Sequence, residues 1–204
     1  DRSEYGPRAL GNRSILADPR PSNMKDRLNT EIKHRESFRP FAPSCLEDKI
    51  PDYFNSPAKS PFMVIAGTVN ENSRNKVPAV THADGSCRVQ TVNREQNSDY
   101  YDLIEAFGDI TGCPVLTNTS FNDRAEPIVE TYEDAANCFL RTGLDALYCD
   151  GFLVQRTEKT PTLTSEQNLQ NTIARVNSEY INIIDRFCNV SAYVSLANEL
   201  NKNE

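Results

Sequence analysis

The sequence predicts an α/β (α+β) domain with a sheet and flanking helices, followed by a helical tail. Apolar segments rich in β-branched residues alternate with segments of helical periodicity as far as Val154. A polar stretch at 155–165 then separates this part from a C-terminal segment with a helical apolar stripe. The 204 residues suffice for one domain with a core and an appendage. We therefore assign 1–157 to the domain and 158–204 to a linker and helical extension.

Helices are predicted in three parts of the domain. Apolar residues recur at four-residue spacing within about 23–34, which is typical of a helix with one buried face. A second helix is expected at 97–111. A third opens at Thr131, where Asp134 completes a capping-box pattern, and runs to Arg141.

Strands are predicted in the intervening segments. The apolar run at 62–69 is interpreted as a buried strand, and 114–119 as another. A β region at 79–92 contains a tight-turn signal at Asp84-Gly85, and 146–154 supplies the final β structure.

The tail has its own pattern. Apolar residues from Leu169 to Phe187 follow a helical period, and 191–201 is interpreted as a second helix. The apolar stripe is expected to pack against the domain or against another subunit, so the tail is a candidate homodimer element.

Composition excludes several classes of function. No apolar run approaches the length of a membrane span. The six cysteines are scattered without a C-x-x-C pair, and with two histidines they offer no dedicated zinc site. Lone buried thiols in a domain of this size favour a reducing, cytoplasmic setting.

Charge is unevenly distributed along the chain. The net charge is -7, yet residues 1–40 carry nine Lys/Arg against six Asp/Glu. A nucleic-acid-binding protein usually presents a broad basic face, so nucleic acid is not the expected partner. A local cationic cluster on an acidic body suits a small anion held in a cleft.

The strongest cationic cluster is K-H-R-E-S-F-R, from Lys33 to Arg39, followed directly by P-F-A-P. Arginine offers a planar fork for phosphate or carboxylate, and lysine offers a mobile point charge. The alternative is a solvated turn, in which Lys33 complements the helix dipole and Glu31 and Glu36 pair with the cations.

Three further segments carry candidate ligand contacts. Short polar side chains at 118–122 follow a predicted strand, where ligands often bind in open sheets, although an ordinary capped turn has the same composition. Arg88 lies in an alternating β segment and points either to solvent or into a cleft. The loop at 6–14, G-P-R-A-L-G-N-R-S, is cationic and shaped by glycine and proline, or is simply an ordered linker.

Five motifs follow one another between Arg2 and Val154: Y-G-P-R-A-L-G-N-R-S-I-L-A-D-P-R, F-R-P-F-A-P, P-A-V-T-H-A-D-G-S-C-R-V-Q-T-V, P-V-L-T-N-T-S-F-N and F-L-R-T-G-L-D-A-L. In this order they closely resemble the C-terminal region of NodU-type O-carbamoyltransferases, which include nodulation-factor and antibiotic-tailoring enzymes. That region resembles a YrdC-type domain, an open twisted mixed sheet with a basic concave surface. The tail after Thr157 is not covered by the resemblance.

The resemblance implies a division of roles. The K-x-R motif at 33–35 and the S-x-N motif at 120–122 match those that bind ATP in the relatives, and further basic residues line the cleft. The expected nucleotide-binding residues are Lys33, Arg35, Ser120, Asn122 and Arg8, and the expected catalytic cations are Lys33, Arg39 and Arg88.

The resemblance also implies a reaction. Carbamoyl phosphate is converted to carbamate, which attacks the α-phosphorus of ATP, accompanied by Mg²⁺, to give carbamoyladenylate and pyrophosphate. A separate N-terminal domain, which resembles the actin-like ATPase fold and binds a metal, then transfers the carbamoyl group to a hydroxyl. No metal site is expected in this chain itself.

Two positions depart from the family pattern, and other functions stay open. Ala125 stands where glycine is common, and Asp123 stands where a neutral residue is common. The extra carboxylate is expected either to weaken anion binding or to help hold Mg²⁺. The alternative functions are an RNA-binding module and a regulatory or assembly module without catalysis.

Overall fold

The computed structural model describes residues 3–56, 59–149 and 151–156, together with the backbone of 190–194. The strands are β1 Arg13–Ala17, β2 Ala42–Leu46, β3 Phe54–Asn55, β4 Gly67–Val69, β5 Ser86–Cys87, β6 Gln90–Val92, β7 Val115–Ser120, β8 Ala146–Cys149, β9 Phe152–Gln155 and β10 Val190–Val194. The helices are α1 Met24–Arg27, α2 Ile50–Tyr53, α3 Ser98–Thr111 and α4 Tyr132–Arg141.

Seven strands form one mixed sheet in the order β6-β2-β7-β1-β10-β8-β9. The pairs β2–β6 and β1–β10 are parallel, and the other neighbours are antiparallel. Strands β3, β4 and β5 form a smaller antiparallel sheet. The predicted α+β class with a mixed sheet is confirmed.

Helices cover both faces of the large sheet. Successive side chains of a strand point to opposite faces, and in β1 the neighbours Ile15 and Leu16 accordingly belong to different core clusters. Leu16 packs with residues of α3, including Ile104 and Phe107. Ile15 packs with apolar residues of α1 and α4.

Local signals explain where the two long helices begin and end. Asn97 caps α3 by accepting a hydrogen bond from the Tyr100 amide, and Gly112 ends the helix at φ 71°. Thr131 and Asp134 form the predicted capping box of α4. The predictions for both helices and for β7 are confirmed.

The first helix has an unusual end. One turn of α-helix, α1, continues as a π-helical segment from Leu28 to Ile32. The amide of Lys33 accordingly bonds to the carbonyl of Leu28, five residues earlier, at 2.9 Å. This winding determines which side of the chain carries Lys33.

Two predicted elements are wrong. Of the expected buried strand at 62–69, only β4 is extended, and Phe62 and Val64 are exposed. Ser60 instead bonds to Thr91 through both its carbonyl and its amide, and Met63 adopts a turn conformation with φ 53°. The run is apolar, but the turn at Met63 prevents its first residues from continuing the strand.

The tail prediction is also corrected in part. A helix was expected at 191–201, whereas 190–194 forms β10, hydrogen-bonded to β1 on one side and β8 on the other. The sequence V-S-A-Y-V has the β-branched and aromatic content typical of strands. The predicted helix at 169–187 lies outside the described residues.

Replacing Thr131 with alanine should lower the free energy of unfolding by about 1 kcal/mol, because the capping hydroxyl of α4 is lost. Urea unfolding followed by circular dichroism measures this. Ser98→Ala is the matched control: its exposed hydroxyl donates to the adjacent Asp99 at 3.3 Å, so a change below about 0.5 kcal/mol is expected. Equal losses in both variants would contradict the capping role.

Candidate anion site at the end of strand β7

Lys33 joins the two motifs that the sequence analysis placed in one site. Its Nζ donates to the carbonyls of Ser120 at 2.6 Å and Asn122 at 2.8 Å, and to Asn122 Oδ1 at 2.7 Å. The Ser120 hydroxyl lies 3.4 Å away and donates to the same Asn122 oxygen. The K-x-R and S-x-N segments, 87 residues apart in sequence, therefore meet in direct contact.

Lys33 is buried, with 5% of its surface exposed, so the expected alternative of a solvated lysine at a helix end is wrong for this residue. Burial and the nearby Arg35 lower the pKa of Lys33 to about 7, while Asp123 acts in the opposite direction. Oxygen acceptors around the ammonium favour its charged form. An approaching anion would favour that form further.

Arg35 lies beside Lys33 on a rigid support. Its Nε donates to Asn29 Oδ1 at 2.7 Å, and its guanidinium stacks on the ring of Phe41 at 4.8 Å. Burial and the neighbouring Arg39 lower the pKa of Arg35. Part of its charge is thus desolvated, and among the residues that the structure describes no carboxylate forms an ion pair with it.

Asn29 organises the cationic loop and was not identified from sequence. The buried side chain donates from Nδ2 to the carbonyls of Ser37 and Arg39, at 3.1 and 3.0 Å. Arg39 itself is half-exposed and pairs with Glu36 at 2.9 Å. The ion-pair alternative therefore describes Arg39 in this structure, while Arg35 and Lys33 face inward.

Arg88 and Arg8 form a second cationic group. Burial and the charge of Arg8 together lower the pKa of Arg88, which places the two guanidiniums close to each other. The Nε of Arg88 is buried without a hydrogen-bond partner among the described residues. Arg8 is exposed in the loop preceding β1.

His82 lies near the second cationic group. Its Nδ1 lies 3.1 Å from Ser86 Oγ in the turn that leads to Arg88. Burial lowers the pKa of His82, which favours the neutral ring at pH 7. Its position within the predicted β region at 79–92 gave no signal of this contact.

A polar network on the sheet lies next to these cations. Asn118 Nδ2 donates to Gln90 Oε1, to Ser44 Oγ and to the carbonyl of Ala9, at 2.8, 3.1 and 3.2 Å. Gln90 in turn donates to the carbonyl of Leu10 at 2.8 Å. These contacts fasten the loop that carries Arg8 onto strands β2, β6 and β7.

A separate cavity of about 750 Å³ lies at the opposite end of β7. It is bordered by Leu46 at the end of β2 and by Pro114 just before β7, and four carboxylates line it. Because Ser120 is at the other end of this strand, the cavity is distinct from the cationic groups.

The part of the chain that the structure describes offers no cluster of three or more His, Cys, Asp or Glu side chains for a metal ion. Within the same residues, no helix is long and apolar enough to cross a membrane. The five cysteines described are free thiols, and Cys188 lies outside the described residues.

Fold and site together define an α+β sheet domain in which strand β7 ends at a buried lysine that lies beside Arg35. The family model for the carbamoyltransferase C-terminus matches residues 1–156, and the chain belongs to this family. The expectation from the sequence motifs is thereby confirmed.

The similar proteins include several nodulation proteins. The chain is 50% identical over 163 residues to the nodulation protein NolNO of Sinorhizobium fredii, covering 78% of this chain and 24% of that protein. It is 52% identical over 158 residues to NolO of Bradyrhizobium diazoefficiens, covering 76% of this chain and 29% of that protein. It is 42% identical over 159 residues to nodulation protein U of Sinorhizobium fredii, covering 78% and 28%. The chain thus spans less than a third of these relatives.

The lowered pKa of Lys33 predicts a pH-dependent stability. An unfolded lysine keeps its proton to about pH 10.5, whereas the folded side chain loses it near 7. The folded state therefore bears the full desolvation cost below pH 7 and is relieved of it as pH rises toward 10.5. Between pH 6.5 and 8.5, the stability of the wild type relative to Lys33→Met should increase by about 2 kcal/mol.

Urea unfolding at the two pH values measures this difference. Lys49→Met is the matched control, because Lys49 is a half-exposed surface lysine next to Asp48. If the difference in unfolding free energy between the wild type and Lys33→Met stays constant from pH 6.5 to 8.5, Lys33 keeps an ordinary pKa.

Proposed function

We propose that this chain is the carbamoyladenylate-forming module of an O-carbamoyltransferase. In the proposed reaction, water converts carbamoyl phosphate to carbamate and phosphate. A carbamate oxygen then bonds to the α-phosphorus of ATP, and pyrophosphate leaves. The observation that carries the proposal is the contact of the Lys33 ammonium with Ser120 and Asn122, because it joins the two motifs implicated in nucleotide binding.

The side chains supply what two polyanionic substrates require. Their approach demands positioning and neutralisation of charge, which fixed cations and hydroxyl or amide groups provide. We assign the ATP phosphates to Lys33, Arg35, Ser120 and Asn122, with Mg²⁺ carried on the triphosphate. The Lys33 ammonium has its three donors on Ser120 and Asn122, so a phosphate oxygen would replace one of these acceptors on binding.

The remaining cations are assigned to the second substrate. Arg88 has a buried donor without a partner among the described residues, and Arg39 needs only to exchange Glu36 for another anion. Arg8, fastened beside Arg88 by the polar network, completes this group in the proposal.

The complete transfer reaction needs more than this chain. Because the chain spans about a quarter of the relatives it matches, we propose that a metal-binding domain N-terminal to it in the whole protein transfers the carbamoyl group. A cytoplasmic setting and a homodimer through the tail belong to the same proposal.

Incubating the chain with ATP, carbamoyl phosphate and Mg²⁺ should release pyrophosphate. Lys33→Ala should reduce the rate by about 10²–10³-fold, because a charge-assisted contact to the phosphates is lost. A coupled pyrophosphate assay measures the rate, and circular dichroism establishes that the variant is folded.

Lys49→Ala serves as the matched control and should retain the wild-type rate. Arg35→Gln, which leaves Lys33 in place, should also lose most of the activity. Wild-type chain that neither releases pyrophosphate nor binds ATP by calorimetry would contradict the proposed function for this chain.

The division of the cations predicts different Michaelis constants. Arg88→Gln should raise the KM for carbamoyl phosphate about tenfold or more, with a smaller effect on the KM for ATP, since one charged contact is removed. Arg35→Gln should show the reverse. Arg94→Gln, a surface control paired with Glu105, should change neither constant. Equal effects of both variants on both substrates would refute the division while leaving the site intact.

A further inference from the structure

Asp123 places a carboxylate at the edge of the anion site. It directly follows Asn122, and its charge acts on the Lys33 ammonium against the effect of burial. The Asp123 carboxylate and a phosphate beside Lys33 would both be negative, and their repulsion is reduced but not removed by water. An unscreened Asp123 would therefore oppose binding of a polyphosphate beside Lys33.

His34 covers this carboxylate. Its Nδ1 lies 2.8 Å from Asp123 Oδ1, and 19% of the Asp123 side chain remains exposed. The amide of Arg124 donates to the same oxygen at 2.5 Å. Two donors thus converge on the carboxylate that lies next to the site.

The backbone is bent to make this contact. His34 has φ 44°, in the left-handed region that side chains other than glycine rarely adopt. Such conformations persist where the surroundings determine them, and they concentrate at functional sites. Arg124 reinforces the contact, since its Nη1 lies 3.4 Å from the His34 carbonyl.

The opposing loop is bent as well. Ala125 has φ 61°, which explains why glycine is the usual residue at this position in the family pattern. The Asp123 amide lies 3.4 Å from Glu126 Oε2, and Asn122 Nδ2 donates to the Glu126 carbonyl at 2.7 Å. The carboxylate of Asp123 is therefore held in a fixed orientation toward His34.

We propose that His34 is a positioning residue that turns and screens the Asp123 carboxylate, so that the site stays cationic toward the polyphosphate of a nucleotide. The inference rests on the proposed function, because it assumes that the anion bound beside Lys33 is a nucleotide phosphate chain. His34 acts through Asp123 and need not touch the substrate. Asp123 is accordingly tolerated at this position because His34 accompanies it.

A double-mutant cycle tests the inference with ATP as the probe. Calorimetry at low salt should show about three- to tenfold weaker binding by His34→Ala, because the carboxylate is no longer screened. His34→Gly, which suits the positive φ, should show the same loss. Asp123→Asn should bind ATP at least as tightly as the wild type, and adding His34→Ala to it should have no further effect.

Salt provides a second measurement. The loss of ATP affinity caused by His34→Ala should become smaller at 500 mM salt, since salt screens partly exposed charges over a few ångströms. A loss that persists in the Asp123→Asn background, or that His34→Gly does not share, would show that His34 only shapes the loop and would overturn the inference. The same holds if His34→Ala binds ATP as tightly as the wild type. Wild-type chain that binds no ATP would overturn the proposed function, and this inference with it.

Discussion

The arrangement of the site depends on the hydrogen bonds that the Lys33 ammonium donates to Ser120 and Asn122. The apolar face of the first helix lies in the core, with Leu28 and Ile32 fully buried, so the direction in which the helix ends is fixed by packing. The π-helical winding then turns Lys33 inward, onto the carbonyls at the end of β7. A lysine at this depth tolerates burial only because oxygen acceptors surround it.

This contact orients neighbouring polar groups of the site in the absence of a ligand. The Ser120 hydroxyl and the Asn122 amide are oriented by the ammonium and by each other, and Asn29 holds the arginine loop on the other side. Electrostatic catalysis gains most from dipoles and charges that need not reorganise during the reaction. Burial destabilises the charge of the lysine, and in the proposed function a bound anion would restore it, so that binding would be coupled to proton uptake.

Much of this fold was predictable where the signals are local. The capping box of α4 is a short pattern with a direct hydrogen-bonding reason, and it was predicted correctly. The run at 62–69 failed because composition records apolarity but not the turn at Met63, and β10 failed because its partners lie far away in sequence.

The site was also predictable only in part. Motif order indicated that Lys33 and the S-x-N segment belong together, as they do. The burial of Lys33 and the role of Asn29 depend on a π-helical turn that no periodicity announces. His82 was also missed, because its residue type alone does not indicate the hydrogen bond with Ser86 across the turn.

The charge of the whole chain affects how these local contacts act on anions. Residues 1–40 carry a net charge of +3 within a protein of net charge -7. The surrounding potential is therefore expected to repel extended polyanions, while in the proposed function the desolvated cations attract a short one. Low-dielectric surroundings strengthen this local attraction more than the distant repulsion, which solvent screens. One adjacent carboxylate, Asp123, is close enough to upset that balance. In our proposal, its pairing with His34 keeps that carboxylate from opposing an anion held by Lys33 and Arg35.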